Sequence, residues 1–197
     1  MGLFERPNGP ISSAANSATQ ASLDSQANQY STLPVSQAFT SATEAKVLNP
    51  NNSAVALSVA LPPDSVNEQS DLVLEVCGYI QTKANGTIAL GIYADGSAAV
   101  TSGNLLHKTA SAVTQNTTTA PFSIRAIMRY DSVSGKLTGE CKQSINNTLD
   151  PEIAFTNVPT SISNTTNPVA TFSLSVTSSG ATTTYPTTIN IQRFSVG

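Results

Sequence analysis

From about residue 36 onward, apolar and polar positions alternate with a period of two, the spacing of a β-strand with one buried face. In residues 72–80 every even position is apolar or glycine. In residues 122–130, Ile124, Ala126 and Met128 share one face, while Arg125, Ile127 and Arg129 share the other. Comparable runs occupy residues 54–61, 87–93, 136–142, 170–176 and 188–196. The pattern predicts about eight strands and no convincing helix.

Turn signals separate these runs. An Asn-Gly pair at residues 85–86 predicts a two-residue hairpin between the strands that flank it, and an Asp-Gly pair at 95–96 predicts the next turn. Residues 132–135 return the chain into a further strand, whereas residues 97–120 form a looser stretch. We therefore expect an all-β protein, an antiparallel β-sandwich of the jelly-roll type, with an extended N-terminal arm.

Residues 1–35 are predicted to form that arm, and residues 36–197 to form the sandwich domain. The arm is rich in Ser, Ala, Asn and Gln, and its large apolar side chains are too sparse to build a core. Two interpretations are equally supported: a disordered tail, or an arm that orders on a partner. Under the second, the candidate contacts with that partner are Leu3, Phe4, Ile11, Leu23, Tyr30 and Leu33.

Charge is scarce in this chain and excludes some partners. Only 11% of residues are charged, against about 25% in typical domains, which suits neutral strand faces or surfaces covered by a partner. A net charge of -3 with thinly spread Lys and Arg argues against nucleic acid. The apolar runs have strand length, so no membrane span is expected. The start of the chain lacks a secretory signal, which predicts synthesis in a cytoplasm.

Catalytic candidates are few. His107 is the sole histidine, lies in a predicted polar loop, and is interpreted as an exposed residue; no GxSxG motif accompanies it. Glu75 and Glu140 lie on predicted strands, where retaining glycoside hydrolysis would need them about 5 Å apart in a cleft. Solvent-facing charges explain both better, and no Trp is available to stack a sugar. We expect no enzymatic activity and no cofactor.

Two further groups of residues could carry chemistry. Asp64, Glu68 and Asp71 lie in one loop and could bind calcium, although the EF-hand pattern is absent. Cys77 and Cys141 are the only cysteines and lack metal-site spacing. Buried free thiols are the ordinary interpretation of cysteines in strands, and a disulfide between them stays open. No metal site is predicted.

The sandwich half resembles a known type of viral domain. The resemblance rests on residues 74–93, with Gly78 and the Asn-Gly turn, on residues 129–139 (Arg-Tyr-Asp-Ser-Val-Ser-Gly-Lys-Leu-Thr-Gly), and on the late Phe194. This pattern is similar to jelly-roll virion proteins of tailed bacteriophages, especially capsid decoration (cement) proteins and head-fibre bases. It covers residues 36–197 as a pattern, not as an exact motif.

The resemblance implies a homotrimer on the capsid surface of a virion, where a polar arm and a jelly roll bind the major capsid protein at quasi-threefold sites. The family has no catalytic residues to transfer. The leading hypothesis is therefore a cement protein that bridges capsomers. The alternatives are a receptor- or glycan-binding module of a phage fibre or tail, for which several exposed tyrosines on a concave face would be expected, and a hydrolase on the same scaffold.

Overall fold

The computed structural model describes residues 35–61, 71–131, 133–134, 136–149, 153–157 and 171–197. Residues 1–34 of the predicted arm, and with them all six candidate capsid contacts (Leu3, Phe4, Ile11, Leu23, Tyr30 and Leu33), lie outside the described residues, whereas Val35, the last residue assigned to the arm, begins the first strand of the sandwich. Asp64 and Glu68 of the possible calcium loop lie outside them as well. These predictions therefore stay predictions.

Across its described residues the chain forms fourteen strands and one short 3-10 helix. The strands are β1 (Val35–Phe39), β2 (Ala45–Lys46), β3 (Leu48–Asn49), β4 (Asn52–Ala56), β5 (Ser58–Ala60), β6 (Asp71–Thr82), β7 (Gly86–Tyr93), β8 (Leu105–Val113), β9 (Thr117–Asp131), β10 (Lys136–Ile145), β11 (Thr148–Leu149), β12 (Ile153–Asn157), β13 (Thr171–Ser178) and β14 (Thr187–Val196). The 3-10 helix is Ser102–Asn104. In this part of the chain, no helix is long and apolar enough to cross a membrane.

Two antiparallel sheets pack against each other. The seven-stranded sheet has the order β1-β14-β6-β9-β10-β11, with β12 also paired to β10. The five-stranded sheet has the order β2-β13-β7-β8, with β5 also paired to β13. The chain passes repeatedly from one sheet to the other, and one hydrophobic cluster contains inward side chains from both. The fold is the antiparallel β-sandwich that the sequence predicts.

Alternation along the long strands is confirmed as the rule that builds this core. On β6 the side chains of Leu72, Leu74, Val76 and Ile80 are buried, while the odd positions between them face outward. The same holds on β9 for the face that contains Ile124. Because successive side chains of a strand point to opposite faces, each of these strands offers one apolar face to the sandwich interior.

The predicted hairpin at Asn85 and Gly86 is wrong. Strands β6 and β7 flank this turn but belong to different sheets, since β6 is paired with β14 and β9, and β7 with β13 and β8. The turn therefore carries the chain across the core. Gly86 has φ 154°, and a Cβ there would lie 2.4 Å from the Ser179 hydroxyl. An Asn-Gly pair identifies the turn correctly but does not specify which strands it joins.

Two other strand predictions need correction. The run at residues 54–61 is not one strand, because Leu57 separates β4 from β5 and donates its N–H to the Val47 carbonyl, 2.7 Å away. The stretch at residues 97–120, predicted to be loose, contains all of β8 and the start of β9. The sequence predicts about eight strands, and the described residues form seven strands of eight residues or longer. The shorter strands were not predicted as separate strands.

Candidate docking surface and buried polar cluster

The outer face of the seven-stranded sheet has two chemically different halves. One half, which we call the charged half-face, is formed by the first half of β6, the second half of β9, residues 136–142 of β10 and Arg193 on β14. It carries five of the nine basic residues of the chain and four of its twelve acidic residues. These are Arg125, Arg129, Lys136, Lys142 and Arg193, together with Asp71, Glu75, Asp131 and Glu140. The patch is thus slightly positive in a chain of net charge -3.

Exposed ion pairs organise this half-face. The Glu75 carboxylate lies 2.8 Å from Arg193 and 3.8 Å from Arg125. Arg129 donates twice to one Asp71 oxygen, over 2.6 and 2.9 Å. Water screens such pairs, so each contributes little to folding, on the order of 0–1 kcal/mol. Their charges can consequently re-pair with a partner at little cost to the sandwich.

A small apolar contact lies in the middle of these charges. Val73 and Ile127 are directly opposite each other on β6 and β9, and both are half-buried. Two shallow grooves of 200 and 340 Å³ border Ile127, and Arg125, Arg129 and charged residues of β10 line them. An apolar centre with an arginine-rich polar rim has the composition of many protein–protein interfaces.

The N-terminal end of β1 points toward this half-face. Val35 lies opposite Ile191 on β14, and Phe39 lies opposite Thr187. Because the two strands are antiparallel, the chain enters β1 from the side where β14 continues to Arg193 and Val196. Residues 1–34 therefore join the sandwich at the edge of the seven-stranded sheet, on the side of the charged half-face.

The opposite end of this sheet carries a largely neutral groove of 340 Å³. Its lining consists of Gln81, Thr82, Lys83, Asn116, Thr117, Thr118, Pro186 and Thr188. Tyr185, which precedes the lining residue Pro186, is 48% exposed. Tyr93 and Tyr130 are buried, so a face with several exposed tyrosines is not observed in the described part of the chain.

A buried polar cluster occupies the outer face of the five-stranded sheet. Lys46 on β2 extends across β13, donates to Asp95 over 3.0 Å and to the Ser173 hydroxyl over 2.7 Å, and lies 4.0 Å from the centroid of the Tyr93 ring. The Lys46 side chain is 0% exposed. Burial lowers the pKa of Lys46, and the Asp95 carboxylate opposes that shift.

Glu44 forms the other centre of the cluster. It accepts hydrogen bonds from the Tyr93 hydroxyl over 2.8 Å, from the Ser175 hydroxyl over 2.6 Å, and from Lys108 over 2.6 Å. Burial raises the pKa of Glu44, but these donors outweigh it and hold the pKa below its ordinary value. Burial, together with the Glu44 carboxylate, raises the pKa of Tyr93 strongly. The Tyr93 phenol therefore stays neutral, and the Glu44 carboxylate stays charged.

The residues singled out as catalytic candidates do not come together. Glu75 is paired with arginines, and Glu140 lies two strands away, with Arg125 and Ile127 on the strand between them. Two strand spacings amount to about 9–10 Å, well beyond the separation for retaining hydrolysis. The interpretation of His107 as an exposed loop residue is wrong, since it is buried on β8.

The cysteines and the carboxylates give no metal centre in the described structure. Cys77 and Cys141 are both free, one half-exposed on the outer face of the seven-stranded sheet and one buried in the core. Asp71 is engaged by Arg129. Within the described residues, no group of three or more His, Cys, Asp or Glu side chains could hold a metal ion.

The polar cluster was not predicted from the sequence. Its members are far apart in the chain: 49 positions separate Lys46 from Asp95, and 127 separate it from Ser173. Strand β2 has only two residues, too few to show an alternation. The one available signal was Lys46 itself, a charged residue just before the apolar pair at residues 47–48.

Comparison with known proteins finds no matching family model and no matching curated protein. Among solved structures, the chain is similar to a legume lectin-like domain from Entamoeba histolytica, with 9% identity, a TM-score of 0.34, and coverage of 82% of this chain and 89% of that one. Arcelin-5, a lectin-like defense protein from Phaseolus vulgaris, has 10% identity and a TM-score of 0.33, with coverage of 83% of this chain and 92% of that one. The CBM2 module of the evolved Dit of Lactobacillus casei BL23 phage J-1 has 9% identity and a TM-score of 0.30, with coverage of 70% of this chain and 66% of that one. No property of these proteins is transferred to this chain.

Proposed function

We propose that this protein is a non-catalytic virion component: a capsid decoration (cement) protein that binds the outer surface of the major capsid protein and stabilises the shell by bridging capsomers. One observation carries the proposal. The arm joins the sandwich on the same side of the seven-stranded sheet as the charged half-face. In the proposal, two contact elements of different kinds, a neutral polar arm and a charged face with an apolar centre, bind from the same side of the molecule.

The mechanism is mechanical. The half-face binds one capsomer and the arm reaches a neighbouring one, so that the second contact forms at the high effective concentration set by the first. Residues 1–34 are long enough for this, since an extended chain spans about 3.3 Å per residue. Ordering such an arm costs conformational entropy, which the surface that it wraps must offset.

The composition of the half-face specifies the chemistry of its partner. Val73 and Ile127 require a small apolar contact, and arginines such as Arg125 and Arg129 around them favour carboxylates on the opposing surface. Because these arginines already face Glu75 and Asp71, binding exchanges intramolecular pairs for intermolecular ones. Such an interface binds a specific partner in a salt-sensitive manner and does not favour non-specific association. Neither nucleic acid nor a membrane is part of the proposal.

The test is co-sedimentation with capsids that lack the protein. Arg129→Glu reverses a charge inside the half-face, and Lys83→Glu makes the same change in the groove at the opposite end of the sheet. We expect Arg129→Glu to weaken capsid binding at least tenfold and Lys83→Glu to leave it unchanged. Removal of residues 1–34 should weaken binding further, because the second contact is lost.

Equal capsid affinity for the wild type, Arg129→Glu and the truncated protein would contradict the proposal. Since Arg129 and Asp71 are 60% and 53% exposed, the charge reversal should not unfold the sandwich, and a melting curve of the same sample checks this.

A second function, as a receptor- or glycan-binding module of a fibre or tail, is favoured by the neutral groove. Its volume of 340 Å³ is at the lower end for small-ligand sites, its lining offers amide and hydroxyl groups, and the exposed Tyr185 lies beside Pro186. A glycan array decides between the two functions. Binding that is lost in Tyr185→Ala and Lys83→Glu but kept in Arg129→Glu would favour this alternative.

A further inference from the structure

Lys46 and Asp95 meet in a geometry that allows more than an ion pair. The Lys46 Nζ lies 3.0 Å from Asp95 Oδ1. Asp95 Oδ2 accepts a hydrogen bond from the Asn104 side chain over 2.9 Å, and Oδ1 also accepts the Ser97 N–H over 2.9 Å. The carboxyl carbon therefore stands next to an amine, with each of its oxygens held by a separate donor.

Water has almost no access to this pair. The Lys46 side chain is 0% exposed, and that of Asp95 is 9% exposed. The Tyr93 ring stands over the ammonium at 4.0 Å, and the Ser173 hydroxyl, itself fully buried, lies 2.7 Å from Nζ. Burying two opposite charges is costly, so a reaction that converts them into one neutral group relieves that cost. The same seclusion opposes hydrolysis of the product.

We propose that Lys46 and Asp95 condense within the folded chain into an isopeptide bond. A proton first passes from the Lys46 ammonium to Oδ1 along their hydrogen bond, which leaves a neutral amine and a neutral carboxylic acid. The amine lone pair then attacks the carboxyl carbon, and the nitrogen–carbon bond forms. Oδ1 departs as water with a second proton from the nitrogen. Ammonium and carboxylate become amide and water, so the step balances without any oxidant, reductant or cofactor.

The neighbouring side chains suit each stage. The Ser173 hydroxyl oxygen accepts a hydrogen bond from Nζ and so orients the nitrogen. The Asn104 amide donates to Oδ2, the oxygen that carries negative charge in the tetrahedral intermediate and remains in the product. Burial lowers the pKa of Lys46 and thereby favours the neutral amine that attacks. Holding amine and carboxyl in contact supplies the proximity that an intermolecular condensation lacks.

The bond would connect the short edge strand β2 covalently to the rest of the five-stranded sheet. Strand β2 has two residues and pairs with β13 at the edge of the five-stranded sheet, while Asp95 follows β7, the strand on the other side of β13. The cross-link would therefore clamp three adjacent strands from the outside. It would close a loop between residues 46 and 95, which lowers the entropy of the unfolded chain as a disulfide does. This inference does not depend on the proposed function.

Intact mass spectrometry of the denatured protein tests the proposal. The wild type should be lighter than its sequence requires by about 18 Da, one water. Lys46→Arg, which keeps the charge but cannot form this bond, should show no loss. Lys108→Arg, a matched change in the same cluster, should still lose water. Asp95→Asn should lose about 17 Da, because ammonia leaves in place of water. Comparison with Lys46→Arg allows for removal of Met1.

A tryptic map then locates the bond. Cross-linked Lys46 is no longer a cleavage site, and the sequence offers no other cleavable site before Lys83, because Arg6 precedes proline. Residues 1–83 should consequently be released joined to residues 84–108, which contain Asp95. A wild-type mass equal to that of the full sequence, with a free peptide that ends at Lys46, would overturn the proposal and leave Lys46 and Asp95 as a buried ion pair.

Discussion

The Glu44 carboxylate and the Lys108 ammonium lie 2.6 Å apart, and this ion pair connects the two edges of the five-stranded sheet. Glu44 immediately precedes β2 at one edge, and Lys108 lies on β8 at the other. The pair spans β13 and β7, whose facing residues are Ser175 and Gly91. The outer face of this sheet is thus held by side chains across its full width, in addition to the hydrogen bonds between its strands.

Replacement of Glu44 by Gln should destabilise the protein in a pH-dependent manner. The folded state lowers the pKa of Glu44 below its ordinary value of 4.5. Its contribution is therefore complete above about pH 4.5 and is lost as the pH falls through the lower folded-state value. At pH 7 we expect Glu44→Gln to reduce the free energy of unfolding by about 1–3 kcal/mol.

Urea denaturation of both proteins from pH 7 down to pH 3 measures this difference, which should shrink as the pH falls below about 4.5. A destabilisation that is constant with pH would mean that the charge of Glu44 is not what stabilises the cluster.

Gly91 leaves room above the sheet for the Ser175 hydroxyl and for the Glu44 carboxylate to which that hydroxyl donates. A Cβ at this position would lie 2.6 Å from the Ser175 hydroxyl and 3.3 Å from the nearer Glu44 oxygen. We expect Gly91→Ala to lower the free energy of unfolding by about 1–3 kcal/mol, the usual cost of overpacking. Gly103→Ala is the matched control, because a Cβ there meets nothing within 4 Å. If both variants melt at the same temperature, the close packing over Gly91 is not important.

The two cysteines should react at very different rates. Cys77 is half-exposed on the outer face, whereas Cys141 is 0% exposed and its burial raises the pKa of its thiol to about 12. In native protein at pH 8, a thiol reagent should therefore label Cys77 promptly and Cys141 only after unfolding. Cys77→Ser should abolish the fast phase. Two thiols that react at one rate, or no free thiol after denaturation, would contradict this arrangement.

The sequence predicted those parts of the fold that depend on local pattern. Long strands such as β6 and β9 show an uninterrupted period of two, so their inward faces could be assigned residue by residue. Strand β8 was missed because its inward positions include His107 and Ser111, polar residues that hide the alternation. The false hairpin at Asn85 had a different cause: a turn signal is local, whereas pairing depends on which strands already occupy both edges of β6.

The candidate sites were harder to predict for a related reason. The charged half-face arises from register, which places Glu75 of β6 opposite Arg125 of β9 and beside Arg193 of β14. Glu75 is 50 residues from Arg125 and 118 residues from Arg193. Register over such separations is set by the whole sandwich and leaves no trace in a short window. The Lys46 cluster depends on the same long-range pairing, through a strand of two residues.

Assembly into homotrimers remains a prediction that rests on the resemblance to decoration proteins. Most soluble oligomers have closed symmetry, and a trimer would present three arms and three charged half-faces to a quasi-threefold site. Light scattering should give three times the chain mass of 20.4 kDa. A monomer at every concentration, together with single copies on the particle, would exclude the trimer.

The arm should be separable from the sandwich, and the cut belongs before Val35. Val35 and Phe39 are 5% and 6% exposed, and β1 pairs with β14 along its whole length. Removal of residues 1–34 should change the free energy of unfolding by less than about 0.5 kcal/mol, since it touches neither these side chains nor this pairing. Removal of residues 1–39 should cost about 3–6 kcal/mol, because two large apolar side chains leave the core.

Urea denaturation followed by tyrosine fluorescence compares these truncated proteins, because both keep four of the five Tyr of the chain, which contains no Trp. The longer deletion also uncovers the edge of β14, so that protein should aggregate more readily on standing. If removal of residues 1–34 alone unfolds the protein, the arm is part of the fold and cannot act as an independent anchor. If it leaves stability intact and lowers capsid affinity, folding and attachment reside in different segments of the chain, divided at Val35.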